Sequence, residues 1–345
     1  MTQGGLLRVW LHRCFLWCLV VSLTVSLGCG ISEPRFFSLR PSHKYYLPVV
    51  GGTVPTLETA VDDLVLRTQE LVPALAAAGQ AAATNPGQPL WDLTPGLNNI
   101  PLSEIVVLPE ETIRTVRGIY ETGQSLGNNP HAFSKIGDST IESPFFLDRF
   151  DDGPYNLGEY DYLQPVIEYY KGSFSRQGRA VYRGLHTWSM FDPMWADPAF
   201  CEPNETPIEC EYRLHQPSLV FIRVGSNDVG RSDLFRSNLT QLIELCFERG
   251  VIPIIGTKAD RNEGSNINNE MLRELAENYA VPLWDFDRIA DSIPGRGMDV
   301  DGVHLTTFYA HDYTLPYALQ TGYGVNNLTA LMMLYELWRN LPITP

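Results

Sequence analysis

Three short polar motifs in the sequence contain the residue types that acyl transfer requires. They are Gly137-Asp138-Ser139, Gly225-Ser226-Asn227-Asp228 and Asp301-Gly302-Val303-His304. A serine hydroxyl becomes a nucleophile when a histidine accepts its proton and a carboxylate orients that histidine. An asparagine amide at a strand end can donate a hydrogen bond to the oxyanion that develops. Together, the motifs therefore contain the groups of a serine nucleophile, its base and an oxyanion donor.

Each motif alone also has a structural interpretation. A lone serine in a turn, a Gly-Ser-Asn-Asp capping turn and an Asx turn beside a surface histidine are all common. The order of the three motifs, each at a predicted strand end or in a late loop, favours the catalytic interpretation.

Alternating apolar strands and amphipathic helices must position these motifs. From about residue 105, apolar residues recur with the spacing of helices or in the short runs of buried strands. The predicted strands are 131–137, 217–224, 251–255 and 281–286, and the predicted helices are 110–123, 231–249, 266–279 and 327–339, the last capped by Asn326 or Asn327. This order predicts an α/β fold, a doubly wound parallel sheet with flanking helices, and ligands at the carboxyl ends of its strands.

The motifs resemble the sequence blocks of the SGNH, or GDSL-like, hydrolase superfamily of secreted and intracellular esterases. The matching residues are Gly137, Asp138 and Ser139, then Gly225, Asn227 and Asp228, then Asp301 and His304. Thr140 stands where the first block usually has leucine. The resemblance covers residues 130–340 and implies a flavodoxin-like fold of three α/β/α layers.

By this resemblance, the mechanism is a two-step acyl transfer that needs no metal and no organic cofactor. Ser139 is the nucleophile, His304 the general base and Asp301 the orienting partner of the histidine. Asn227 and the backbone N–H of Ser139 donate to the oxyanion. A second histidine, His311, is interpreted as a core or loop residue.

The resemblance also implies an oxyanion glycine on the loop after the second strand. Gly184, which follows a possible strand at 173–181, is the candidate, and Gly178 is the alternative. No flanking motif chooses between the two glycines.

The first 29 residues have the pattern of an export signal. Two arginines precede an apolar run at 14–27, which is short for a transmembrane helix. Gly28-Cys29 resembles the cleavage site of a bacterial lipoprotein and predicts lipidation of Cys29. Simple secretion and an uncleaved anchor are the alternatives. The expected location is the cell surface or the periplasm, with membrane contact only through the lipid.

The chain divides into three predicted segments. Residues 1–29 are the signal peptide, 30–104 form an N-terminal tether or extension, and 105–345 form the SGNH hydrolase-like catalytic domain. An insertion around 142–213 lies within that domain.

The cysteines outside the leader are consistent with export. Cys201 and Cys210 bracket a short loop with two prolines, a spacing that permits a disulfide in an oxidising compartment. Two reduced thiols are the alternative, and zinc is disfavoured because no CxxC or histidine pair lies beside them. Cys246 lies on an apolar helical face and is expected in the core.

The charge excludes one class of partner. The chain has 345 residues with 25 basic and 40 acidic side chains, a net charge of −15. Nucleic-acid binding requires a cationic surface that this composition does not supply.

The insertion combines aromatic rings with negative charge. Residues 138–213 contain 14 acidic and six basic residues. The aromatic residues there include Phe145, Phe146, Phe150, Tyr155, Tyr160, Tyr162, Tyr169, Tyr170, Trp188 and Trp195. Packing of the rings onto the sheet is the favoured interpretation, and stacking on sugar rings is the alternative.

Two functions follow as hypotheses. The first is a serine esterase acting on carboxylic esters, with O-acetyl groups on extracellular or cell-envelope carbohydrate as a candidate substrate class. The second is a catalytically idle SGNH-like surface lipoprotein that binds a glycan or a protein. The oligomeric state is not predicted.

Overall fold

The computed structural model describes residues 96–343, which are built around a central sheet. In chain order the strands are β1 (Gly96–Leu97), β2 (Ile100–Pro101), β3 (Val106–Val107), β4 (Asn129–Gly137), β5 (Pro217–Arg223), β6 (Ile252–Gly256) and β7 (Leu283–Trp284). β1 and β2 form a small antiparallel hairpin. The central sheet has five strands in the order β3-β7-β6-β5-β4. β4 to β7 are parallel, and β3 is antiparallel at one edge.

Helices cover both faces of this sheet. The α-helices are α1 (Glu110–Ser125), α2 (Ser139–Glu142), α3 (Arg149–Asp152), α4 (Gln164–Tyr169), α5 (Pro207–His215), α6 (Ser232–Glu248), α7 (Ile267–Asn278), α8 (Phe286–Ala290) and α9 (Gly322–Asn340). Apolar residues of α1, α4 and α9 share one core cluster, and those of α5, α6 and α7 share the other. The predicted α/β fold with flanking helices is confirmed.

The middle strand β5 shows why the sheet is covered on both sides. Successive side chains of a strand point to opposite faces. Leu219 and Phe221 therefore pack with α1 and α9, whereas Val220 and Ile222 pack with α5 and α6. All four are fully buried. Each such side chain stabilises the fold by about 1.5 to 3 kcal/mol, so a continuous apolar run specifies a central strand.

The packed domain extends upstream of residue 105, where the sequence analysis placed its boundary. Leu97 and Leu102, from the segment assigned to the tether, are buried in the same core cluster as α1 and α9. Strands of two residues are too short to show a periodic pattern in the sequence, which is why this segment was not recognised.

The last helix also begins earlier than predicted. α9 starts at Gly322, and the two asparagines proposed as its cap lie fully buried within it. Oδ1 of Asn326 accepts a hydrogen bond from Nη1 of Arg223 at 2.5 Å. Oδ1 of Asn327 accepts one from the backbone N–H of Leu147 at 3.1 Å. Tertiary partners therefore override the preference of asparagine for helix ends.

Most aromatic rings of the insertion pack against the core. The packed rings are those of Phe145, Phe146, Phe150, Tyr155, Tyr160, Tyr162, Tyr169 and Tyr170. Trp188 and Trp195 differ, since they are 44% and 45% exposed. The packing interpretation therefore does not account for these two tryptophans.

The cysteines of the described residues have distinct environments. Cys201 and Cys210 are joined by a disulfide that ties the loop before α5 to that helix. Cys246 is a free thiol buried on α6, as expected for a core residue. Cys29, the signal peptide and most of the predicted tether lie outside the described residues.

Within residues 96–343, none of the helices is both long enough and apolar enough to span a bilayer.

Candidate active site

The turn after β4 presents Ser139 at the carboxyl edge of the sheet. A side chain at Gly137 would lie 2.3 Å from the carbonyl oxygen of Arg223 on the neighbouring strand, so only glycine fits there. Asp138 then caps α2, because its Oδ1 accepts hydrogen bonds from the backbone N–H of Thr140 at 2.9 Å and from its hydroxyl at 2.8 Å. Ser139 follows as the first residue of α2 and is partly exposed.

His304 and Asp301 lie beside this serine. Nε2 of His304 is 2.9 Å from Oγ of Ser139, although the two residues are 165 positions apart. Nδ1 of His304 is 2.6 Å from Oδ2 of Asp301. The carboxylate accepts from Nδ1–H, which leaves the lone pair of Nε2 to accept the serine proton. The structure therefore joins Ser139, His304 and Asp301 in one hydrogen-bonded series. We call these three residues the relay.

Asp301 is held as a carboxylate. The hydrogen bond from His304, followed by those from the backbone N–H groups of Val303 and His304, lowers the pKa of Asp301 to about 2. Both side chains of the pair are nearly half exposed, 44% for His304 and 48% for Asp301. The relay consequently lies at the protein surface.

The loop that carries the pair is fastened to the start of α9. The backbone N–H of Asp299 donates to the carbonyl of His304 at 2.7 Å, which closes the loop on itself. Downstream, the hydroxyl of Thr306 accepts from the backbone N–H of Gly322 at 2.7 Å. A side chain at Gly322 would meet the carbonyl of Gly297 at 2.2 Å, so glycine permits this close contact.

The segment after β4 returns to the sheet edge beside the serine turn. The strand predicted at 173–181 does not form, and Val181 makes only an isolated parallel bridge with Gly137. The backbone N–H of Tyr182 donates to the carbonyl of Gly137 at 3.2 Å. The turn that contains Gly184 then follows directly.

The positions of the two candidate glycines differ. Gly178 is buried against β4, where a side chain would lie 2.7 Å from the carbonyl of Lys135. Gly184 is exposed, has a φ of +73° and has open space around its α-carbon. Nδ2 of Asn227 donates to the carbonyl of Leu185 at 3.1 Å, so the structure brings the Gly184 turn and the Asn227 loop together.

Asp228 has a role that the sequence analysis did not assign. Its Oδ1 accepts hydrogen bonds from the backbone N–H of Thr187 at 3.0 Å and from its hydroxyl at 2.7 Å. Burial raises the pKa of Asp228, and the contacts with Thr187 oppose that shift. The carboxylate thus fastens the segment after Gly184 to the loop after β5.

A buried polar network supports the loop that carries Asn227. The sequence analysis missed this network. Oγ of Ser226 donates to Oδ2 of Asp260 at 2.7 Å, and Nζ of Lys258 donates to Oδ1 of Asp260 at 2.9 Å. Nδ2 of Asn268 donates to the carbonyl of Gly225 at 2.9 Å. Lys258 and Asp260 follow the end of β6. Because ligands of parallel sheets bind at the carboxyl ends of the strands, this position in the sequence is the signal that could have identified the two residues.

Potential metal ligands are few in the described part of the chain. Between residues 96 and 343, Cys201, Glu205 and Cys210 form the one group of three such side chains. Both cysteines are in the disulfide and cannot supply thiolates.

Comparisons with known proteins add little to this geometry. No model of a protein family matches the sequence, and no curated protein matches it. Among solved structures, the chain is similar to a lipase/acylhydrolase from Enterococcus faecalis, with 17% sequence identity and a TM-score of 0.39. The match covers 62% of this chain and 99% of the other. A likeness at this level assigns no function by itself.

Proposed function

We propose that the protein is a serine esterase that hydrolyses carboxylic esters. The relay carries this proposal, because 2.9 Å from Ser139 to His304 and 2.6 Å from His304 to Asp301 are hydrogen-bond distances. The position of the serine at the carboxyl edge of a parallel sheet supports it, since ligands of such sheets bind there.

The first step acylates the serine. Oγ of Ser139 attacks the ester carbonyl carbon, its proton passes to Nε2 of His304, and the carbonyl electron pair moves to oxygen. The free N–H of the Asn227 amide and the backbone N–H groups of Ser139 and Gly184 donate to that oxyanion. Collapse then breaks the bond to the alcohol oxygen, and His304 returns the proton to the departing alcohol.

The second step releases the acid. His304 takes a proton from water, whose oxygen attacks the acyl carbon, and the bond to Ser139 breaks as the serine regains the proton. Asp301 stays ionised throughout and stabilises the imidazolium that forms in each step. Its depressed pKa, about 2, supports that role.

The surface position of the relay favours an ester carried on a large molecule. His304 and Asp301 are nearly half exposed, so an acyl group on a polymer can reach Ser139 without entering a deep cavity. The acidic surroundings, 14 acidic against six basic residues at 138–213, disfavour polyanionic substrates. We therefore place O-acetyl groups on uncharged carbohydrate first among the candidate substrates.

Replacement of the nucleophile tests the proposal. Ser139→Ala should abolish labelling by a fluorophosphonate probe and lower kcat for p-nitrophenyl acetate by at least about a thousandfold, because no oxygen remains to attack. Ser237→Ala is the control, since that serine lies exposed on α6. Full labelling or turnover in Ser139→Ala would reject the esterase. No labelling and no turnover in the parent protein would support the idle binding protein instead.

We also infer that the protein is exported and anchored through Cys29. The disulfide between Cys201 and Cys210 supports export, because such bonds persist in oxidising compartments. Mass spectrometry of the N-terminal peptide should detect a diacylglyceryl group on Cys29. Cys29→Ser should release the protein from the membrane fraction, and membrane retention of that variant would contradict the lipid anchor.

A further inference from the structure

Four aromatic residues form an exposed surface, the aromatic platform, which comprises Tyr182, His186, Trp188 and Trp195. The rings of Tyr182 and Trp195 are parallel within 10°, with centroids 5.4 Å apart. His186 and Trp188 stack at 6.1 Å, and Trp188 meets Trp195 edge to face at 5.8 Å. Both tryptophans are nearly half exposed, so part of each indole remains in contact with solvent, where a ligand can reach it.

The platform is continuous with the proposed oxyanion site. Tyr182 is hydrogen-bonded to Gly137, two residues before the nucleophile. Between Tyr182 and Trp188, the segment is held by Asn227 at the carbonyl of Leu185 and by Asp228 at Thr187. Contacts from the serine turn and from the Asn227 loop thus hold the segment that carries Tyr182, His186 and Trp188, and Trp195 joins it through its ring contacts with Tyr182 and Trp188.

Hydrogen bonds fix the Tyr182 ring and the backbone of the turns that carry His186 and Trp195 before any ligand binds. The hydroxyl of Tyr182 lies 2.6 Å from Oγ of Ser189, which in turn donates to the carbonyl of His186 at 2.7 Å. Asp192 caps the 3-10 turn that carries Trp195, through a 3.0 Å bond from the backbone N–H of Met194. This pre-organisation of Tyr182 and of the backbone turns reduces the conformational entropy lost when a ligand binds.

The charge around the platform selects among ligands with flat apolar faces. Asp192 and Asp197 flank Trp195 in sequence, and Asp197 is half exposed and lies 3.8 Å from Arg179. The surplus of carboxylates at 138–213, 14 acidic against six basic residues, disfavours polyuronates and anionic bilayers, whereas carboxylates accept hydrogen bonds from sugar hydroxyl groups. The negative faces of aromatic rings attract the weakly positive C–H groups of a pyranose.

We propose that the aromatic platform binds pyranose rings of an uncharged O-acetylated polysaccharide and holds an acetyl group at Ser139. This inference depends on the proposed esterase activity in one respect, the placement of an acetyl ester at Ser139. Binding of the sugar chain itself depends on the tryptophans and not on the relay, so the two proposals can fail separately.

The first experiment measures binding without turnover. In the Ser139→Ala background, affinity electrophoresis through acetylated glucomannan should retard the protein. Adding Trp188→Ala or Trp195→Ala should weaken that affinity at least tenfold, and Trp→Phe at either position should restore part of it. Leu126→Ala is the matched control, because Leu126 is a 55% exposed apolar residue just before the amino end of β4. Ser139 follows the carboxyl end of the same strand.

The second experiment measures turnover with Ser139 present. In Trp188→Ala and Trp195→Ala, the fold decrease in kcat/KM should be at least ten times larger on acetylated glucomannan than on p-nitrophenyl acetate. Most of that decrease should come from a higher KM. A melting temperature close to that of the parent protein excludes unfolding as the cause. Acetylated pectin, a polyanion, should be a poor substrate for the parent protein.

Three results would contradict the proposal that the aromatic platform binds sugar. Equal losses on the polymer and on the small ester would assign the tryptophans a structural role, and unchanged glucomannan affinity in both variants would reject sugar binding. Tryptophan-dependent binding to phosphatidylcholine vesicles without binding to glucomannan would assign the surface to lipid. If the parent protein hydrolyses no ester but binds glucomannan through the tryptophans, the esterase fails and the platform stands.

Discussion

At the scale of single residues, Asp301 supports the site through both of its carboxylate oxygens. Oδ1 accepts the backbone N–H groups of Val303 and His304, and Oδ2 faces Nδ1 of His304. An Asp-x-x-His spacing allows one carboxylate to shape the turn and orient the ring. The structural and catalytic interpretations of this motif are therefore compatible.

Asp301→Asn should lower kcat for p-nitrophenyl acetate by about ten-thousandfold. The amide can still accept backbone hydrogen bonds, but it no longer stabilises an imidazolium. Because the pKa of Asp301 is about 2, its ionisation should contribute no step to the wild-type pH–rate profile above about pH 4. A loss below threefold would mean that Asp301 only shapes the turn. Asp299→Asn, in the same loop, is the control.

Asp148 should make stability fall as the pH rises from about 4 to about 6. Burial raises its pKa to about 6, although Nζ of Lys135 lies 3.2 Å from Oδ1. Between those pH values the folded protein holds a proton that the unfolded chain has lost, so raising the pH favours unfolding. Asp148→Asn should remove this contribution, so that urea unfolding shows a less negative change in stability between about pH 4 and about pH 6 in the variant than in the wild type.

The control for this slope is Asp233→Asn, which replaces an exposed carboxylate on α6. It should leave the slope between about pH 4 and about pH 6 in place. Identical slopes in the wild type and Asp148→Asn would assign the pH dependence to other groups.

At the scale of elements, loops after three neighbouring strands hold one another at the sheet edge. The β4 turn supplies Ser139, the β5 loop supplies Asn227 and Asp228, and the β6 loop supplies Asp260. Asp228 and Asp260 accept hydrogen bonds from Thr187 and Ser226 and so fasten the loop that carries Asn227. Near the end of the insertion, the disulfide fastens the loop at Cys201 to Cys210 on α5.

Removal of the disulfide should lower the free energy of unfolding by about 2 to 3 kcal/mol, because closing a short loop restricts the unfolded chain. The change is Cys201→Ser with Cys210→Ser, measured by urea unfolding with and without a reductant. The reductant should have no further effect on the double variant. Cys246, whose pKa burial raises to about 12, should react with thiol reagents only after unfolding. An unchanged midpoint in the double variant would contradict a stabilising role.

At the scale of the whole molecule, the fold brings distant parts of the chain to one edge. Ser139 and His304 are 165 positions apart, and each lies on a short segment fastened to a buried element. The hairpin β1–β2 at the start of the described chain packs into the same core as α9 near its end. The core thus includes residues that the sequence analysis assigned to a tether.

Two shortened chains test that boundary. A chain that begins at residue 105 should have a lower free energy of unfolding than one that begins at residue 96, because it lacks buried Leu97 and Leu102. Burial of two such side chains sets an upper limit of about 6 kcal/mol on the difference. The shorter chain also lacks Glu104, which lies 2.5 Å from Arg288. Thermal and urea unfolding measure the difference. Equal stability would restore the boundary at 105.

The sequence by itself determined the class of fold and the residues of the relay. Long apolar runs such as β5 and periodic helices such as α6 are local patterns, and they identify their elements without reference to the rest of the chain. Polar motifs at strand ends were visible for the same reason. Local sequence therefore predicts Ser139, Asp301 and His304 without reference to the distances between them.

Only the tertiary structure decided what depends on contacts between distant segments. Asn326 lies inside a helix because Arg223 binds it, and Gly184 lies at the edge because Val181 bridges to β4. Trp188 and Trp195 remain exposed beside the site while the other insertion rings are packed. Neither propensity nor spacing encodes which partner a side chain meets, since burial and hydrogen bonding are set by the whole packed chain.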